Sequence, residues 1–123
     1  MKKKSKHSYP KKKKEFRFKN IEVKNNDEII KIRHPAYIIV QKGNIYIYVT
    51  LTHSSSLEDK IVIELRKNPN PVDHEKSYYI AEIKEDLLDK FGKKLVDWHL
   101  DELDDEDIRK LYKKDGSANQ DKS

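Results

Sequence analysis

The stretch from Ala36 to Leu51 constrains this chain most: AYIIV at Ala36–Val40, then Gln41-Lys42-Gly43-Asn44, then IYIYVTL at Ile45–Leu51. β-Branched and aromatic residues suit a pleated, half-buried surface, and the Gly-Asn step is a turn signal, so the pattern predicts an antiparallel hairpin. Pro35 suits the first residue of the leading strand. In the second strand Ile45, Ile47, Val49 and Leu51 fall on one face, and Tyr46, Tyr48, Thr50 and Thr52 on the other. Tyr46 and Tyr48 are either solvent-facing, where they would stack on nucleobases, or packed into a second core under a helix.

Other segments extend the β pattern. Lys60–Arg66 alternates with Ile61, Ile63 and Leu65 inward, while Ser77–Ile83 and Phe16–Val23 read as further strands. Asn68-Pro69-Asn70-Pro71 interrupts them, because each proline removes a donor and each asparagine favours a turn. The end of the chain is helical. Asp104 is placed to cap it, with a Leu103–Ile108 staple, acids in the first turn and Arg109, Lys110, Lys113 and Lys114 later. Ile108, Leu111 and Tyr112 then form one apolar stripe against the sheet. The expected fold class is mainly β with a C-terminal helix (α+β), built as a small, strongly curved antiparallel sheet or partly open barrel.

The formal net charge of +5 is unevenly spread. Residues 1–19 hold ten Lys/Arg against Glu15, residues 20–95 are balanced, and residues 96–108 carry seven acids without a lysine or arginine. The expected organisation is a basic disordered arm over 1–19, one domain over 20–114 and a disordered tail over 115–123. Within the arm Lys11, Lys12, Lys13, Lys14 and Arg17 are the candidate nucleic-acid contacts, since such a segment attracts any polyanion. No apolar run is long enough to span a membrane, and no apolar core follows the first lysines as in a secretory signal. There is no cysteine, which removes thiolate zinc sites and cysteine nucleophiles and suits a reducing, cytoplasmic setting.

The sharpest chemical cluster is Thr52-His53-Ser54, where a strand gives way to a polar loop; Arg33-His34 opens its partner strand. Folding the hairpin closed brings the two groups together. These residue types suit phosphodiester cleavage in RNA, where the 2′-hydroxyl is the nucleophile and the protein supplies a base, an acid and a cation. Histidine exchanges protons near neutrality, arginine holds phosphate, and Thr or Ser donates to its oxygens. His7, His34, His53, His74 and His99 lack metal-ligand spacing, so neither a metal nor a cofactor is expected.

The order RHPAYIIV, IYIYVTLTHSS, KIVIELR, SYYIAEI and a final helix resembles the PemK/Kid/MazF toxin family over about residues 31–114. That resemblance implies an SH3-like barrel, usually homodimeric, that cleaves single-stranded RNA without metal and is neutralised by an antitoxin, here expected to be acidic. The family arginine would fall on Arg33 or His34 and its threonine on Thr52. The competing reading is a non-enzymatic module that holds nucleic acid or a partner protein for a mobile element. Three features are read as structural first. The acids of Asp101–Asp107 form a solvated capping face, with a hold on the basic arm as the second reading. Asn68–Pro71, with Asp73 and His74, forms a turn before it forms a specificity loop. Trp98 anchors the C-terminal segment.

Overall fold

A computed structural model describes residues 10–117. The elements are β1 Lys11–Asn25, β2 Glu28–Lys42, β3 Ile45–Thr52, β4 Val62–Glu64, β5 Tyr78–Ile80, β6 Lys84–Leu87 and β7 Phe91–Lys94, followed by α1 Glu102–Leu111 and a π-helical turn, Tyr112–Ser117. The strands pair antiparallel in the order β4-β5-β3-β2-β1-β7, and β6 shares with β5 the second edge of β3. The protein is therefore mainly antiparallel β with one C-terminal helix. The sheet is open, with β4 and β7 at its two ends.

The β2–β3 hairpin forms as the sequence predicts, with Tyr37 opposite Val49 and Gly43 at φ 57° in its turn. A second, longer hairpin joins β1 to β2 through Asn26 at φ 60°, a left-handed conformation that asparagine tolerates better than most residues. It changes two expectations. β2 runs 15 residues, so Pro35 lies inside it and not at its start. β1 begins at Lys11, so the expected disorder does not hold over Lys11–Lys19. That segment pairs with the most buried part of β2 and places Phe16 in the core. The first nine residues of the arm lie outside the described residues. At the other end, Asp115–Ser117 belong to the π turn, and the rest of the expected tail is likewise outside.

Each sheet face carries a core. On one, Phe16, Tyr37, Ile39, Val49 and Leu51 pack with Ile108 of the helix, and Trp98, Leu111 and Tyr112 close over them. On the other, Tyr46 and Tyr48 pack with Ala36, Ile38 and Phe91. At 7% and 2% exposure the two tyrosines are buried, which removes them as base-stacking platforms. The second core exists, but it lies beneath Phe91 and Leu88 rather than beneath the helix. β4 departs from expectation too: it is a three-residue edge strand, Ile61 and Ile63 are exposed, and only Leu65 turns inward.

The helix starts one turn earlier than the sequence suggests. Asp101 caps it, accepting from the backbone N–H of Leu103 at 2.8 Å, and the exposed Leu103 forms no staple. Asp104 is thereby freed for another task. It is 2% exposed and accepts both the Arg66 backbone N–H, at 2.9 Å, and the Arg66 guanidinium, at 2.6 Å. Burial pushes its carboxyl pKa up, and the Arg66 bonds oppose that rise. Asp105 is buried as well and accepts the Tyr37 hydroxyl at 2.6 Å. The acidic run is thus partly interior, not simply a solvated face.

Arg109 ties helix to sheet. The β1–β2 ladder shifts register between Lys12 and Glu15, and the β2–β3 ladder shifts between Ile38 and Val40. Bulges of this kind release a residue from the ladder. Arg109 donates to the carbonyls of the two residues released, Lys13 and Ile39, while its Nε holds the Asp105 carboxylate at 3.1 Å. One side chain thus satisfies the polar groups that both irregularities would otherwise strand.

Candidate functional site

β2 and β3 part company at Ala36 and Thr50, the last pair of their ladder on this side. The next residue of β2 is Pro35, which has no N–H to offer a neighbour. Leu51 and Thr52 continue along β5, opposite Tyr79 and Tyr78, whereas Pro35, His34 and Arg33 continue along β1, opposite Phe18, Lys19 and Asn20. The fork between the strands opens a cavity of about 500 Å³, lined by Arg33, His34, Thr52, His53 and Ser54. All five sequence-derived candidates therefore meet at one place. Among the described residues, no group of three His, Asp or Glu side chains is arranged to hold a metal.

The far wall comes from the loop between β4 and β5. His53 Nε2 lies 2.8 Å from Asp73 Oδ2. The loop that carries Asp73 is braced from within by asparagines. Asn68 accepts from the Asn70 N–H at 2.9 Å and donates to the Glu75 carbonyl at 2.8 Å, and Asn70 accepts from the Val72 N–H at 3.2 Å. Pro69 is anchored to the segment before the helix by the His99 N–H, 3.2 Å from its carbonyl. The Glu75 N–H, then His53 and Asn68, hold the Asp73 carboxyl down at about 2. Asp73 is therefore ionised at any ordinary pH and fixes the imidazole beside it. When Nε2–H donates to Asp73, Nδ1 of His53 is left as the acceptor.

The near wall differs in character. The Arg33 guanidinium lies 5.1 Å from the centre of the Phe18 ring, and Phe18 in turn meets Trp98 edge-on at 5.9 Å. Trp98 anchors its segment against Phe16, at 5.5 Å, and also lines the cavity. Thr52 Oγ1 accepts from the Ser54 N–H at 3.1 Å, which leaves its own hydroxyl hydrogen to donate. The cavity at the fork is thus lined from both faces of the sheet: Arg33 shares a face with Phe18 and Pro35, while His34, opposite Lys19, belongs to the other.

Sequence reasoning missed the Asp73–His53 contact, which spans 20 positions. The paired Asx turns of Asn68–Pro71 were its one signal. The basic candidates divide. Lys11 and Lys12 are exposed at the start of β1, but Lys14 is 3.0 Å from Glu102, the backbone carbonyl of Lys13 is bound by Arg109, and Arg17 is bound to Glu15 and to the Gly92 carbonyl. The acidic helix does hold part of the basic strand, the reading the sequence placed second. No helix among the described residues is long and apolar enough to cross a membrane. The chain matches no protein-family model, no curated protein and no solved structure.

Proposed function

We propose that the protein is a small metal-independent endoribonuclease of the toxin–antitoxin type, acting on single-stranded RNA in the cytoplasm. The observation that carries the reading is the meeting of Arg33-His34 with Thr52-His53-Ser54 at one cavity, where Asp73 orients His53. His53 Nδ1 takes the proton of the 2′-hydroxyl, and that oxygen attacks the adjacent phosphorus. His34 protonates the departing 5′-oxygen. Arg33 and the hydroxyl hydrogens of Thr52 and Ser54 offset the charge on the phosphoryl oxygens. The products are a 2′,3′-cyclic phosphate and a free 5′-hydroxyl. In this reading the curved sheet is an SH3-like barrel left open between β4 and β7, a homodimer is the working form, and exposed Lys11 and Lys12 meet an acidic antitoxin.

Incubating the purified chain with single-stranded RNA in EDTA tests this. Cyclic-phosphate fragments should form, and His34→Ala or His53→Ala should slow the cleavage by about 10²-fold or more. Intact RNA with the unaltered chain would sink the enzyme. Binding without cleavage would leave the non-enzymatic module in its place.

A further inference from the structure

The outer half of the β1–β2 hairpin, Asn20–Asn25 against Glu28–Arg33, pairs only with itself. β7 leaves β1 at Lys19, and β3 leaves β2 at Ala36. Residues opposite one another share a face, and successive residues alternate. One face therefore carries Ile21, Val23, Ile30 and Ile32, and the other carries Asn20, Glu22, Lys24, Ile29, Lys31 and Arg33.

The second face is continuous with the cavity, because Phe18 and Pro35 are its next rung. Along it Arg33 is opposite Asn20, Lys31 opposite Glu22, and Lys24 opposite Ile29. Each successive rung of the face thus offers one cation, at steps of about 7 Å, and the row ends where Arg33 enters the cavity. That step is of the same order as the phosphate repeat of an extended single strand. All three cations are exposed. Among the described residues none has a carboxylate at ion-pair distance, unlike Lys14, Arg17 and Lys19, which are held by Glu102, Glu15 and Asp86. Glu22 is the one acid on this face, and it tempers Lys31.

We infer that this face of the hairpin is a rail for the phosphate backbone of single-stranded RNA, tracked by Lys24 and Lys31 and delivered at Arg33 to the cavity. The destination rests on the ribonuclease reading above; the binding itself does not. A duplex is disfavoured, because each rung offers only one cation and the cavity at the end of the row is only about 500 Å³.

The test measures binding of a uridylate dinucleotide and a dodecamer to the full chain carrying His34→Ala, in EDTA across a salt series. Adding Lys24→Ala and Lys31→Ala should weaken dodecamer binding about tenfold at low salt. The log–log salt slope should fall by about 0.7 per lysine removed, and dinucleotide binding should stay unchanged. Glu22→Gln, a change that cannot act by removing a cation, should tighten the dodecamer. Unchanged dodecamer affinity overturns the rail, as does an equal loss for the dinucleotide. Poly-glutamate competing as well as RNA for the same lysines overturns it too, because the face would then be a site for acidic protein. If the unaltered chain leaves RNA uncut while the lysine and Glu22 effects hold, the enzyme falls and the rail stands. If RNA is cut and these lysines have no effect, the rail falls and the enzyme stands.

Discussion

From Glu15 to Lys19 the first strand is buried or half-buried throughout; from Glu22 to Asn25 the same strand is exposed at every position. The inner half lies between the helix with Trp98 on one side and the Phe91 cluster on the other. The outer half is the richer in β-branched residues and has an unbroken ladder to β2, yet Ile29 is 65% exposed and Val23, Ile30 and Ile32 are exposed too. The half with more β-branched residues is the half with less burial. Charge is handled differently as well. Lys14, Arg17 and Lys19 are bound to carboxylates, and Arg17 also to a carbonyl, whereas Lys24, Lys31 and Arg33 are left available. The contrast teaches that this hairpin is a structural element at one end and a presented surface at the other.

The contrast is broken most severely at Arg109. Its replacement by alanine strands the Lys13 and Ile39 carbonyls and leaves Asp105 with Lys14, 4.0 Å away, in place of the closer guanidinium. A loss of about 3–5 kcal/mol is expected, the range for removing one partner of a buried pair. Urea unfolding of Arg109→Ala measures it directly. A loss below about 1 kcal/mol would mean that the bulges do not depend on the helix.

Next in size is Tyr37, whose hydroxyl donates to Asp105. Tyr37→Phe should cost about 1.5–3 kcal/mol, as for a hydrogen bond to a charged acceptor. Burial, then the Asp105 bond and charge, push the phenol well above its usual value. A group whose folded pKa is raised contributes its full stability below its unfolded pKa, about 10, and loses that contribution as pH rises toward the folded value. The unaltered protein should therefore lose stability above about pH 10, and Tyr37→Phe should lose less over the same interval. Parallel alkaline denaturation curves for the two proteins would show that Tyr37 is not the group responsible.

Legibility in the sequence followed the same division. The β2–β3 hairpin and the helix were readable because their signals are local: β-branched alternation, a Gly-Asn turn, acids before bases. The meeting of Arg33-His34 with Thr52-His53 was readable because it follows from hairpin register alone. Asp73 was not, because its approach to His53 depends on how a loop folds on its own asparagines. The lysines of β1 misled for a different reason. A run of like charge reads as disorder when its partners, Glu102 and the carbonyl-seeking Arg109, lie some 90 positions away. Asp101, Asp104 and Asp105 are chemically equivalent in the sequence, and only the packing of Arg66 and Tyr37 decides which of them caps.

The smallest expected effect lies at the hairpin's outer half. Val23→Thr combined with Ile30→Thr keeps both residues β-branched, so the strand preference is retained and only apolar area changes. The two residues face each other across the ladder and are exposed. The pair should therefore cost no more than about 0.5 kcal/mol, as surface substitutions do. Amide exchange in Asn20–Arg33 should remain faster than in Phe16 and Tyr37 with or without the change, since no second layer protects the outer rungs. A loss of about 1.5 kcal/mol or more that grows with protein concentration would have another cause. That result would place a second copy against the Ile21–Val23–Ile30–Ile32 face, making it an interior surface of the working assembly and confining the exposed half of the hairpin to the row that ends at Arg33.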